Sequence, residues 1–263
     1  MPITFKRAGQ EAVTLENVSF KGVALDKVTF KRAGQEAVTV FEKATMPVKG
    51  DIITMDAKQY RVLKVNGSVA EVLCMYDSDS QIEFDSASYG RNNTYARKNI
   101  DTYCNNTFYS GLSAAMKSAI VDKSFTQDSW EWSSSVPTES HYTGKRGAKP
   151  YYLTLANASF GTSITRHCYC LSVQDVLDYL EATTSMGTSD TTLTDTNIWK
   201  MFWNATTSQS GKYIWLRSAR SSDSDFAFFV GGGTGYLDKD FVGATYAARP
   251  AFQIDLSKVE WSK

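Results

Sequence analysis

Between the apolar-rich stretches Gln59–Val65 and Ser68–Met75 lies the dipeptide Asn66-Gly67, and it leaves the surrounding chain few options. A two-residue reversal needs positive φ, which Asn and Gly adopt at little cost, so the flanking stretches are expected to pair as an antiparallel hairpin. Ile52–Thr54 adds a further strand. Helical spacing follows. Ile100, Tyr103, Cys104 and Phe108 share one face of a helix predicted over Arg97–Phe108, which Gly111 ends. Leu112, Met116, Ala119 and Ile120 mark a second, short helix. A third opens at Ser172, an N-cap residue with Asp175 three positions on, and carries Val173, Val176, Leu177 and Leu180 on one side. Ile198–Trp203 is short and apolar and reads as a helical turn or a buried segment. Tyr151–Leu155 reads as a strand, and strand-like segments return at Tyr213–Leu216, Phe226–Val230, Tyr236–Phe241 and Ala248–Ile254, while residues 76–94, 126–150 and 183–194 read as polar loops. Strands, then helices, then strands again predict an α+β fold.

The first 47 residues are set apart by a repeat. Thr4-Phe-Lys-Arg-Ala-Gly-Gln-Glu-Ala-Val-Thr14 recurs unchanged at Thr29–Thr39. Short, β-rich and punctuated by Gly, it predicts hairpins, and two copies are too few for a free-standing solenoid. Residues 1–47 are therefore expected to form a β-rich arm that anchors the chain or joins copies into a homo-oligomer, and residues 48–263 a ligand-binding domain.

Charge narrows the partners. With 28 basic and 28 acidic residues the chain is formally neutral, which excludes the footprint of a nucleic-acid binder. No run of 18 apolar residues predicts membrane insertion. The N-terminal residues lack the apolar core of a signal peptide, so synthesis in a cytoplasm is expected, with a carrier such as a phage particle if the chain acts outside a cell. Cys74, Cys104, Cys168 and Cys170 are not spaced as a disulfide framework and are expected to be reduced and buried.

The residues that could carry chemistry form no familiar set. His141 and His167 are the only histidines. His167-Cys168-Tyr169-Cys170 offers three potential ligands, but a structural zinc site wants four, usually with wider cysteine spacing. Gly231–Gly235 lacks the Lys and following helix of a phosphate cradle and reads as a turn. Asp223/Asp225 and Asp238/Asp240 are alternate-residue carboxylate pairs, read as solvated side chains on a binding surface rather than calcium ligands. No catalytic residue, metal or cofactor is expected. The alternatives are an enzyme using Cys168, Cys170 and His167, or a purely structural virion or surface protein.

Two C-terminal motifs carry a resemblance. Trp215-Leu-Arg-Ser218 and Ala248-Arg-Pro-Ala-Phe-Gln-Ile-Asp255, separated by a Ser/Asp/Gly/aromatic stretch, resemble the end of a bacterial and phage family with a C-type-lectin-like, formylglycine-generating-enzyme type fold. Some of its members are variable proteins of diversity-generating retroelements. Tyr60–Leu63, Asn105–Tyr109 and Cys170–Asp175 are similar to it as well, so the resemblance covers roughly residues 48–257. It implies a C-type-lectin-like domain behind the β-rich arm. It also implies a variable region at about 219–246, in which adenine-directed mutation of pyrimidine-ended codons cannot yield Lys, Glu, Gln, Met or Trp. That stretch holds one such residue, Lys239. Carried over by position, the ligand-binding residues are Arg220, Asp223, Asp225, Phe226, Phe228, Gly231, Gly233, Tyr236, Asp238, Asp240, Phe241, Gly243, Ala244 and Tyr246, with Phe229 an optional addition and Ser218, Val230, Leu237, Val242, Arg249 and Pro250 as scaffold. One of Phe226, Phe228 and Phe229 must face inward, because consecutive strand residues alternate. The implied role is a hypervariable receptor-binding protein or adhesin on a phage tail, or alternatively on a cell surface. Its ligand is unknown, a protein being favoured over a glycan. The chain departs from calcium-dependent sugar lectins, since Ala205 follows Trp203-Asn204, and from the oxidases of this fold, since no cysteine follows Cys170.

Overall fold

A computed structural model describes residues 46–75, 81–86, 92–133, 142–146, 149–180, 193–194, 196–203, 212–232 and 236–263, together with six short strands within the first 45 residues. The chain divides into two compact units, Met1–Met46 and Pro47–Lys263.

In the first unit, β1 (Ile3–Phe5) pairs with β2 (Val13–Leu15), β3 (Ser19–Phe20) with β4 (Val23–Ala24), and β5 (Lys27–Phe30) with β6 (Val38–Glu42). The two copies of the repeat close in the same register. Thr4 faces Thr14 in one hairpin and Thr29 faces Thr39 in the other. Identical sequence thus produces identical local pairing.

The second unit is mostly β, which corrects the α+β expectation and with it the lectin-like architecture. Among the described residues its longest α-helix has eight residues, whereas one strand alone runs for 18. A six-stranded sheet begins with β7 (Ile52–Met55), β8 (Lys58–Asn66) and β9 (Val69–Cys74). β7 and β8 join through Asp56 and Ala57, both at positive φ. The β8–β9 hairpin forms as expected but turns one residue later. Asn66 pairs with Val69, so Gly67 and Ser68 make the reversal, with φ +60° at Gly67. Positive φ at the first loop residue alone is the type II′ pattern, for which Gly is suited.

After β10 (Gln81–Glu83), the first helix is α1 (Asn99–Thr102), continuing through a π-helical stretch at Tyr103–Phe108 and a 3-10 turn at Tyr109–Gly111. Ile100, Cys104 and Phe108 are its buried face. α2 (Ala114–Ala119) is capped by Ser113, whose hydroxyl accepts from the Met116 amide. β11 (Ile120–Val121) then leads into the largest departure from expectation. β12 (Lys123–Ser133), β13 (Tyr142–Arg146) and β14 (Lys149–Arg166) form a long antiparallel ribbon, where a polar loop over residues 126–150 and a strand only at Tyr151–Leu155 were predicted. Trp130 and Trp132 are buried and Glu131 between them is half-exposed, a period-2 signal swamped by polar neighbours. β14 is polar because much of it is exposed.

β15 (Tyr169–Cys170), α3 (Val173–Leu180), β16 (Leu193–Thr194) and α4 (Thr196–Phe202) precede the C-terminal strands β17 (Tyr213–Arg220), β18 (Phe226–Gly231), β19 (Tyr236–Phe241), β20 (Thr245–Ala248) and β21 (Pro250–Asp255). The six-stranded sheet runs β11-β21-β9-β8-β7, with β15 also on β21. The nine-stranded sheet runs β13-β14-β12-β17-β18-β19-β16, with β20 bridging β17 and β10. One core cluster links Leu63 and Leu73 of the first sheet, Val176 of α3, Phe202 of α4 and Leu216, Phe228 and Val230 of the second. Among the described residues, no helix is long and apolar enough to cross a membrane.

Candidate ligand-binding surface

Strand alternation sorts the fourteen sequence-predicted site residues into separate places. In β18 and β19, Phe226 faces Phe241, Phe228 faces Lys239 and Val230 faces Leu237 on one side; Ala227 faces Asp240 and Phe229 faces Asp238 on the other. The first side turns towards the core. Phe228 is fully buried there, so its expected contact with a ligand is corrected: it fills the interior with Leu216, Val230 and Leu237. Gly231 is also buried, between Tyr213 and Tyr236 in the sheet. Gly233 and the side chain of Tyr236 lie outside the described residues, as does His141.

Seven of the predicted residues gather at one end of the nine-stranded sheet: Arg220, Asp223, Asp225, Phe226, Phe241, Gly243 and Ala244. The β17–β18 reversal (residues 221–225) and the β19–β20 turn (residues 242–244) are tied by the Val242 amide donating to the Asp225 carbonyl, 2.8 Å. Phe226 and Phe241 meet edge to face at 6.2 Å, with the Arg220 guanidinium 5.4 Å from the Phe226 ring. Phe241 is 37% exposed.

Side chains from outside this stretch hold its backbone. Asn93 is buried, and its Nδ2 donates to the carbonyls of Arg220 (2.8 Å), Asp223 (3.1 Å) and Phe226 (2.8 Å). Gln127, also buried, donates to the Asn93 carbonyl (2.7 Å) and the Arg217 carbonyl (2.6 Å), and accepts from the Tyr95 amide (2.9 Å). From β12, Glu131 accepts from Arg220 Nε (3.2 Å), Ser221 Oγ (3.2 Å) and the Ser222 amide (3.1 Å). Burial raises the Glu131 pKa, but the Ser222 hydrogen bonds and the Arg220 charge outweigh it and hold the carboxyl below its usual range.

Asp238, Asp240 and Tyr246 lie on the opposite face of the sheet. Tyr246 donates to Asp240 and packs on Tyr213 (4.9 Å), Trp215 (4.7 Å) and Phe229 (5.0 Å). Partial burial raises the Asp238 pKa, against the Lys239 amide and charge, and Asp240 adds to the rise.

The motif Trp215–Ser218 has a different character. Arg217 donates to the Cys170 carbonyl (2.7 Å) and to Asp175 (2.5 Å), and stacks 4.4 Å over Phe125. Ser218 donates to Asp128, which also accepts from Trp130 Nε1 (2.8 Å), and receives the Val173 amide (2.7 Å). Ser172 and Asp175 cap α3 reciprocally: each amide donates to the other's side chain, at 2.9 and 3.0 Å. Burial alone would raise the Asp175 pKa, but Arg217, Lys123 and the Ser172 amide overcome it and drive the carboxyl well below the ordinary range. Arg249 is buried over Trp203 at 5.5 Å, and burial lowers its pKa to about 10.

The residues of the alternative enzyme reading are dispersed in function. The partly exposed imidazole of His167 pairs with Asp122 and stacks on Tyr109 at 4.4 Å. Cys168 and Cys170 are fully buried, and burial pushes the Cys168 thiol far above its usual range. A nucleophilic or metal-binding cysteine must ionise, which that environment opposes. Among the described residues no three His, Cys, Asp or Glu side chains gather as metal ligands.

Asn93, Gln127 and Glu131 were missed by sequence reasoning. Asn93 and Gln127 fell within stretches read as polar loop, where nothing separates a buried amide from a solvated one. Glu131 could have been found from the alternation Trp130-Glu131-Trp132.

The fold and this end surface define a mostly β protein that presents a loop from a two-sheet scaffold. The chain belongs to a family described as a domain of unknown function (DUF6273), whose model matches residues 71–256. No curated protein and no solved structure matches the chain.

Proposed function

We propose that this chain is a hypervariable ligand-binding protein, diversified by a retroelement over residues 219–246 and displayed on a phage tail or a cell surface. It performs no chemistry. The ligand site is the sheet-end surface of Arg220, Asp223, Asp225, Phe226, Phe241, Gly243 and Ala244. One observation carries this reading: the backbone of residues 220–226 is held by Asn93 and Glu131, which lie outside the stretch. Side chains there can change while the loop keeps its shape, which is what a variable site requires. Phe and Arg supply area, stacking and charge suited to gripping a protein partner. The hairpin arm supports self-association, because a two-stranded hairpin is marginal by itself and gains from a neighbour. Several copies would strengthen a weak single-site interaction.

Sequencing the gene across a natural population tests the proposal. Codons for Arg220, Asp223, Phe241, Gly243 and Ala244 should vary at their first two positions, end in a pyrimidine, and flank constant codons for Phe228, Val230 and Arg249, with Asn93 and Glu131 also constant. Equal variation at Arg220 and at Leu63 would refute retroelement diversification.

A further inference from the structure

We infer that Cys104 and Cys170 are a latent dithiol that closes to a disulfide when the chain folds in an oxidising environment. The two residues come from distant parts of the sequence, Cys104 from the π-helical stretch after α1 and Cys170 from β15. Their sulfurs nevertheless lie 3.6 Å apart in the interior, both fully buried. A disulfide needs roughly 2.05 Å, so the two sulfurs, already in contact, have about 1.5 Å to close. Nothing in the spacing of 66 residues announces the pair; only folding brings it together.

The native interior protects the thiols. Burial, with the Cys170 hydrogen bond adding to it, keeps Cys104 protonated, and the thiolate is the species that exchanges. Closure therefore belongs to folding, while the sulfurs are still accessible, or to brief opening. With glutathione disulfide as oxidant, one cysteine thiolate attacks it and releases a glutathione thiolate, leaving a mixed disulfide. The second cysteine thiolate then displaces the remaining glutathione. Two protons leave the protein thiols, and two electrons depart with two molecules of reduced glutathione.

The crosslink would brace the strut beneath the loop. The Cys170 amide donates to Tyr95 Oη (3.0 Å), the Tyr95 amide to Gln127 Oε1 (2.9 Å), Gln127 to the Asn93 carbonyl (2.7 Å), and Asn93 to residues 220–226. The disulfide rests on the sulfur contact alone, independently of any ligand at that loop.

The test refolds the denatured full chain in glutathione disulfide and, separately, in reduced glutathione. We expect the oxidised sample to lose two of its four free thiols and to yield a peptide linking Cys104 to Cys170. Its Tm should rise by about 10 °C, as closing a loop of this length in a domain of this size implies. C104A should abolish the link and the Tm rise, and C74A should keep both. Four free thiols after oxidative refolding, or a link through Cys74 or Cys168, would overturn the inference. The peptide map of the unaltered chain decides the matter even if C104A does not fold.

Discussion

Arg217 and Arg220 sit three residues apart on β17, and they live in opposite worlds. Arg217 is 5% exposed, locked between Asp175, the Cys170 carbonyl and the face of Phe125. Arg220 is 24% exposed and shares Glu131 and Asp223 with the solvent's edge. Around Arg217 the side chains make the structure. Around Arg220 the structure is made by other segments, and the side chains are presented. One strand therefore passes from a buried scaffold at Arg217 to a part-exposed surface at Arg220 within three residues.

The contrast can be broken at its strong end first. Arg217→Met leaves the partly buried Asp175 with Lys123 as its remaining counter-charge and should cost about 2–4 kcal/mol, whereas Arg220→Met should cost less than about 1 kcal/mol. Paired thermal melts of the two variants check this, and similar Tm losses would erase the distinction. Phe228→Ala and Phe241→Ala repeat the comparison on the apolar side: about 3–5 kcal/mol for the core ring, against about 0.5 kcal/mol for the exposed one. Urea denaturation reads both.

Asn93→Ala should cost about 2 kcal/mol by leaving three loop carbonyls without their donor, and should accelerate amide exchange in residues 221–226 while sparing β8 and β9. Uniformly faster exchange would mean that Asn93 supports the whole sheet rather than the loop.

Acid sharpens the comparison further, because two aspartates shift in opposite directions. The folded-state pKa of Asp175 is depressed, so its contribution to stability is present above the unfolded carboxylate value of about 4 and is lost as pH falls through the folded pKa. That of Asp238 is raised, so its contribution is full below about pH 4 and is lost as pH rises through the folded value. Asp175→Asn should flatten the acid limb of a stability–pH curve. Asp238→Asn should raise stability at neutral pH by under about 1 kcal/mol, the smallest effect expected here.

Local chemistry was legible where it is short-ranged. Ser172 and Asp175 announced the start of α3, the Asn66-Gly67 neighbourhood announced a hairpin, and the duplicated segment announced paired strands. Phe226–Val230 was recognisable as a strand in which not every ring could face outward. The turn was misplaced by one residue because Gly67 alone supplies the positive φ, and most of β12 was read as loop, with only Tyr151–Leu155 of β14 read as a strand. β14, exposed along much of its length, shows little apolar alternation, and β12 buries Gln127, Asp128 and Ser129 beside its tryptophans, so polar composition concealed a buried strand.

What the sequence by itself determined is therefore the set of contacts within a few residues: caps, reversals, and which side of a strand or helix is apolar. Only the tertiary structure decided the mostly β architecture, that Phe228 is core while Phe241 is surface, that Asn93 clasps a loop more than 120 residues away, and that Cys104 meets Cys170. Backbone dihedrals and capping bonds are satisfied locally, so composition and order encode them directly. Buried polar groups and facing side chains acquire partners only when distant segments close together, and no spacing along the chain records which partner each will find.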